Sequence, residues 1–252
     1  MKDRLLCALL LLALTPLAWG MEEDCPMVKG PKNRDYSVRE DAQLLAIIER
    51  AHFSSDVELG IHGTSGTMPG GDIAYTLENY PNHPRALAAM MRLADRGHTT
   101  KPYGAKYSMQ CYLERAVTFF PHDPTAKMIY ATYLGKLNKT DEAIKLLKEA
   151  DEALPNDPNI AYNLGLLFFT KKDYAQSLDY AHKAYAGGFP FPGLRDKLKK
   201  AGAWKEAPEG APAPAPATPA ISATPATSAA PAAQAPAPST QTPPAVPASP
   251  ER

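Results

Sequence analysis

Six histidines and three cysteines are the residues of this chain best equipped to hold a metal or to act as base or nucleophile, and their spacing argues against both. No pair stands in an H-x-x-x-H, H-E-x-x-H or C-x-x-C arrangement, the spacings that bring two such groups together on one helix face or in one turn. His83 and His122 fall in the proline-bracketed segments PNHP (81–84) and PHDP (121–124), and read as turn residues. His52, in RAHFSSD, follows a helical stretch, where a cation meets the negative end of the helix dipole. The stretch GIHGTSGTMPGG at 60–71 has five glycines, but lacks the Lys-Ser or Lys-Thr pair that a phosphate-cradling loop places after its last glycine. It reads as a flexible surface loop. No cofactor or metal is expected, no Ser-His-Asp grouping stands out, and the chain reads as non-enzymatic.

The cysteines have a different chemistry in view. Residues 1–20 have the pattern of a secretory signal peptide: Lys2 and Arg4, an apolar run from Leu5 to Leu14, then Ala18-Trp19-Gly20 before a cleavage point after Gly20. Such a run is short of the roughly 20 residues a bilayer span needs, so no integral membrane span is expected in the mature chain. Cys7 lies at the start of the run rather than its end, and Cys25 lies beyond the acidic MEED, which disfavours a lipid anchor. The mature protein then keeps Cys25 and Cys111, and an even pair in an oxidising compartment is a candidate disulfide. Export to a bacterial periplasm is the expected localisation.

Charge narrows the partner class. Lys+Arg and Asp+Glu are 27 each, so no general attraction to nucleic acid or to an anionic membrane is expected. Residues 207–250 are dominated by alanine and proline, with Glu209 their only charge. Nothing there has the periodicity to form a core, so 207–252 reads as a disordered, polyproline-like tail.

The elements that must position any functional group are marked by proline. PNDP at 155–158 matches PHDP at 121–124; Pro124, Pro158 and Pro192 are evenly spaced by 34 residues. The second proline of each quartet suits the first turn of a helix, where its missing N–H costs nothing. Asp123 and Asp157 stand where they can cap the orphan amides. The turns NKTD and KKD end the first helix of each unit, with Thr140 and Asp173 as expected caps of the second. Each unit is therefore a helix-turn-helix. Small residues recur where its two helices must approach: Ala131 and Gly165, Ala143 and Ser177, Ala150 and Ala184.

This pattern resembles the tetratricopeptide repeat (TPR), with Ala161 and Ala181 departing from bulky positions. The match is specific over 122–190; a unit at 84–121 fits with a longer turn. The resemblance implies an all-α fold, a right-handed α-solenoid of three TPR-like repeats (84–121, 124–155, 158–190). A short capping helix at 191–206 would place Leu194 and Leu198 inward. Residues 21–83 form an N-terminal helical region holding the glycine-rich loop, with helices expected over Ser37–Arg50 and 71–81.

Carried over residue by residue, the family's concave groove would be lined by Arg85, Ala88, Arg92, Asp95 and Arg96 in the first unit. Thr125, Met128, Thr132 and Lys136 line it in the second; Asn159, Tyr162, Asn163, Leu166, Phe169 and Thr170 in the third. Arg85, Arg92 and Arg96 make a positive beginning; Tyr162, Leu166 and Phe169 make an apolar end, unless they pack against the capping helix. The carboxylate-gripping variant of the family is not reproduced, since its positions hold Ala88 and Arg92. The expected function is a protein-interaction scaffold of the cell envelope, binding a polypeptide segment. The alternative is an envelope enzyme or carbohydrate-binding accessory with a pocket between the glycine-rich loop and the 95–107 turn. His52, His62, Asp72 or His98 around one cleft would favour that alternative.

Overall fold

The computed structural model describes residues 25–206; the expected signal peptide (1–20) and the Ala/Pro tail (207–252) lie outside the described residues. Among the described residues the secondary structure is helical, with no strand. The helices are α1 (Ala42–His52), α2 (Ser55–Leu59), α3 (Pro69–Asn79), α4 (Pro84–Gly97), α5 (Met109–Phe119), α6 (Pro124–Lys136), α7 (Thr140–Ala153), α8 (Pro158–Thr170), α9 (Tyr174–Ala186) and α10 (Gly193–Lys200), with a 3-10 turn at Thr64–Gly66. None is long and apolar enough to cross a membrane.

Proline and capping chemistry set the helix starts. Pro84, Pro124 and Pro158 each occupy the first turn of α4, α6 and α8. Asp123 accepts from Thr125 N (2.8 Å) and Ala126 N (3.2 Å), and Asp157 accepts from Asn159 N (2.8 Å) and Ile160 N (3.0 Å). At the equivalent position His83 does the same work, its Nδ1 accepting from Ala86 N at 3.2 Å. Asp173 caps α9, but Thr140 does not cap α7: it lies inside the helix, and Lys139 at the cap position makes no side-chain bond. Asp141 and Glu142 in the first turn take over, because carboxylates there offset the dipole. The first helix also begins later than its apolar pattern suggests, at Ala42, with Asp41 as cap in a left-handed conformation. Ile47 faces solvent, and Leu45 and Ile48 face the core.

Consecutive helices joined by short turns pack as hairpins, most extensively α6 with α7 and α8 with α9. Alternate helices also touch, α2 with α4, α4 with α6 and α6 with α8. Small residues permit the close approaches. Ala131, Ala143 and Ser177 are fully buried, and Ser177 Oγ donates to the Gly165 carbonyl at 2.8 Å. A methyl at Gly165 would lie 2.4 Å from a Leu194 methyl, so glycine lets α10 seat on α8. Ala143→Leu, on α7, should overpack the α6–α7 seam and cost about 1–3 kcal/mol. An unchanged melting temperature would show that the α6–α7 contact is looser than described.

Residues 25–41 form an arm laid along the inter-helix turns. It is fixed covalently by a Cys25–Cys111 disulfide. Asn33 Nδ2 donates to the Glu78 carbonyl (2.7 Å), and Arg34 N to that of Asn79 (2.8 Å). Lys29 lies 4.2 Å from the centre of the Phe120 ring. At the heart of the contact is Asn82, fully buried: its Oδ1 accepts from Tyr36 N (2.9 Å), and its Nδ2 donates to Asp35 (2.8 Å) and Asp123 (2.9 Å). His122 Nε2 meets the other Asp35 oxygen at 2.7 Å. The two PxxP turns read from sequence as punctuation are thus also the arm's anchoring points.

Candidate functional site

The arginine stripe of α4 is engaged within the chain. Arg85 makes a two-pronged ion pair with the Glu58 carboxylate. Arg92 Nη2 donates to the Glu58 carbonyl (3.1 Å), and Arg96 Nη2 to the Leu59 carbonyl (2.9 Å). Their acceptor is the C-terminal end of α2, whose last carbonyls have no partner inside so short a helix. Gly60 permits this approach: its φ is +66°, and a side chain there would meet the Arg96 guanidinium and Leu93. Of the three guanidiniums only that of Arg85 is paired with the Glu58 carboxylate; the other two meet backbone carbonyls. Burial pulls Arg92 below the ordinary guanidinium value, with Glu58 opposing and the neighbouring Arg96 adding to the effect.

At the other end, Tyr162, Leu166 and Phe169 pack around Ala181, Leu194 and Leu198, so α10 covers much of this apolar stripe. Tyr162 stacks on Phe189 at 3.9 Å between ring centres, and burial raises its pKa. Between the two ends, Met128, Thr132, Asn159 and Asn163 are half-buried. Thr132 and Asn163 each bond back to their own helix, to the carbonyls of Met128 (2.9 Å) and Asn159 (2.8 Å), leaving the Asn163 Oδ1 to accept. Lys136 and Asp95 pair between α6 and α4.

A second region draws together the two segments that the repeat pattern does not require. Gly70 and Gly71, at the start of α3, lie against the backbone of Tyr103 and Gly104: a methyl at Gly70 would be 2.3 Å from the Tyr103 carbonyl. Nearby, Asp72 organises the glycine-rich loop. Its Oδ1 meets His52 Nδ1 at 2.7 Å; its Oδ2 accepts from Thr64 N (2.7 Å) and Thr67 Oγ1 (3.2 Å). The loop is therefore held by hydrogen bonds, against the expectation of a flexible one. The His52 ring lies 4.2 Å from that of Tyr75, itself half exposed, and Tyr103 is 80% exposed. His62 turns instead to Asp56 (3.3 Å). Among the described residues no group of three or more His, Cys, Asp or Glu side chains is placed to hold a metal ion.

His83 is where sequence reasoning missed most. It is fully buried, with Nδ1 capping α4 and Nε2 on the Glu49 carboxylate at 3.0 Å, so both ring nitrogens are committed to structure. Its position in PNHP, aligned with Asp123 and Asp157, was the available signal.

Acid should loosen this N-terminal part first. The His83 hydrogen bond holds Glu49 below its ordinary value, and the Arg85 bond does the same for Glu58, with burial opposing each. For Asp35 burial is the largest influence and works upward, but bonds from Ser37, Asn82 and His122 outweigh it and lower the pKa. A group depressed in the folded state contributes stability above its unfolded pKa, and that contribution is lost as pH falls through the folded value. Burial raises Asp123 and Asp151, which act in the opposite sense. Below an unfolded glutamate value of 4.5, amide protection should fall at Ile48 and Val57 before Leu147 and Leu164. Simultaneous loss would contradict this.

Models of known protein families give no match to this chain, and a search of curated proteins gives none either.

Proposed function

We propose that the chain is an exported, non-enzymatic interaction scaffold of TPR-like repeats that binds an acidic polypeptide segment along α4, α6 and α8. The repeat reading is supported by the 34-residue period, the capped proline starts and the succession of contacts from α2 through α4 and α6 to α8. Export is supported by the Cys25–Cys111 bond, since such bonds persist in oxidising compartments.

The observation that carries the partner's chemistry is the surplus of cation on α4. Arg92 and Arg96 are steadied by backbone carbonyls, and neither forms an ion pair with a carboxylate of the described residues. A guanidinium has five donors in a planar fork suited to carboxylate, and each here uses one nitrogen. An acidic side chain of a partner would complete the pairing. The segment would continue over Met128, Thr132, Asn159 and Asn163, where amide and hydroxyl groups can meet an extended backbone. Since α10 covers much of the stripe formed by Tyr162, Leu166 and Phe169, the apolar contact falls chiefly to Met128.

The test is a photocrosslinker at Asn163 in the cell envelope, followed by binding kinetics of the captured partner. Arg92→Glu should slow association on the order of tenfold, because it reverses a steering charge. Equal binding by folded Arg92→Glu and Arg96→Glu variants would remove the groove as the site.

A second reading, a carbohydrate-binding or enzymatic accessory, is favoured by the meeting of the two non-repeat segments at Gly70 and Tyr103, beside the Asp72–His52 pair. Exposed Tyr75 and Tyr103 rings are surfaces on which a sugar can stack. Loss of envelope-polymer binding in Tyr103→Ala, with the groove variants unaffected, would select it.

A further inference from the structure

A single stripe of α3 faces solvent. Gly71, Tyr75 and Glu78 share one face of the helix, while the other residues from Gly70 to Asn79 are buried. The 95–107 turn meets that stripe at both ends. The Gly104 carbonyl lies 3.6 Å from where a Gly71 methyl would be, and Lys106 pairs with Glu78 at 2.8 Å. Tyr75 lies between these two contacts and is 46% exposed. Glycine at 71 places no side chain beside the ring.

The His52 ring also lies against Tyr75, its centre 4.2 Å away and its plane tilted by 37°. Its Nδ1 is held by Asp72 Oδ1 at 2.7 Å. An ionised carboxylate only accepts, so the proton of the neutral imidazole sits on Nδ1 and Nε2 keeps its lone pair. The buried Asp72 is fixed in turn by Thr64 N and Thr67 Oγ1. Both carboxylates beside Tyr75 are paired, Asp72 with His52 and Glu78 with Lys106, which favours an uncharged ligand over an ionic one.

We propose, building on the carbohydrate-binding reading, that Tyr75 is the stacking floor of a subsite for an uncharged, β-linked glycan of glucose configuration. In that configuration the ring substituents are equatorial and leave flat C–H faces, one of which covers the tyrosine ring. Hydroxyls at the edge of the sugar then meet His52 Nε2 as acceptor and the Lys106 ammonium as donor. An apolar surface with a few convergent polar groups is the usual means of orienting a small ligand. Tyr103, next to Gly104 and 80% exposed, takes the neighbouring sugar unit. The subsite uses no residue of the groove on α4, α6 and α8.

The test is titration of the full-length oxidised protein with tetramers of β-linked glucose and of β-linked N-acetylglucosamine, read by calorimetry and amide chemical shifts. The shifts should centre on Gly71, Tyr75 and Gly104. Tyr75→Ala should weaken binding on the order of tenfold, and Tyr75→Phe, which keeps the ring, should bind like the parent. Should Tyr75→Ala fail to fold, Gly71→Leu decides. Its Cβ meets only ordinary van der Waals contact, and its side chain fills the space beside the ring, so binding should be lost. Parent-like affinity in either folded variant overturns the proposal, as do shifts confined to α4, α6 and α8, or a parent that binds neither tetramer. If envelope-polymer binding is lost in Tyr103→Ala but intact in Tyr75→Ala, the carbohydrate-binding reading stands and the Tyr75 subsite falls. If both variants retain the polymer like the parent, both fall.

Discussion

Replacing Cys25 and Cys111 by serine should lower the unfolding free energy by about 4–5 kcal/mol. The bond joins residues 86 apart in sequence, and closing a loop of that size removes a large amount of conformational freedom from the unfolded chain. For a domain of this size the melting temperature should fall on the order of 10 °C. Cys111 is almost fully buried whereas Cys25 is not, so serine at 111 also buries a hydroxyl. Alanine there separates the two effects. A reduced protein melting within about 2 °C of the oxidised form would mean that the arm stays docked without its covalent link.

Asn82→Ala should cost about 3 kcal/mol, because one buried amide bonds to three groups, each of which loses that bond at once. The Tyr36 N–H would be orphaned in the interior, and the Asp35 and Asp123 carboxylates would face one another without the N–H groups between them. Asp35 keeps its bonds from Ser37 and His122, and Asp123 those from Thr125 and Ala126, so the cost lies in the orphaned amide and in each carboxylate losing one buried donor. Asn156 is the built-in control: it holds the same place in PNDP but is exposed, with φ of +64°. Asn156→Ala should cost less than about 1 kcal/mol. Chemical denaturation measures both, and equal effects would show that the arm contributes nothing at Asn82.

What could be read from the residues was what depends on neighbours in sequence. Pro124 and Pro158 announce helix starts because their chemistry suits only the first turn, and Ala143 and Ser177 announce close helix contacts because larger groups would not fit. What could not be read depends on distant partners. The helix α2 is five residues long and borders a glycine-rich stretch, too short to have a period, and nothing in Arg85, Arg92 or Arg96 foretells that its C-terminal end lies against them. Likewise Tyr162, Leu166 and Phe169 carry the same apolar pattern whether they await a partner or receive α10. Position in a repeat says which side of a helix a residue occupies; only the fold says what already lies there. Asp72 is similar: a first-turn aspartate is ordinary, and its bonds to His52 and Thr64 reach across 20 and 8 residues.

The covalent link between Cys25 and Cys111 also decides how the protein would carry a pull. Tension applied between the N-terminus and the C-terminal tail runs through the sulfur atoms into α5, because a chain segment in parallel with a covalent bond cannot lengthen. Residues 26–110, including α1–α4, are taken out of the line of force. The load falls on α5 to α10, where stretching must peel the α6–α7 and α8–α9 hairpins apart. Reduction moves the first yielding contacts to the arm, from Lys29 on Phe120 to Tyr36 on Asn82. An oxidised chain pulled to full length would come up short by the contour of its closed loop, and that deficit vanishes when the bond is cut.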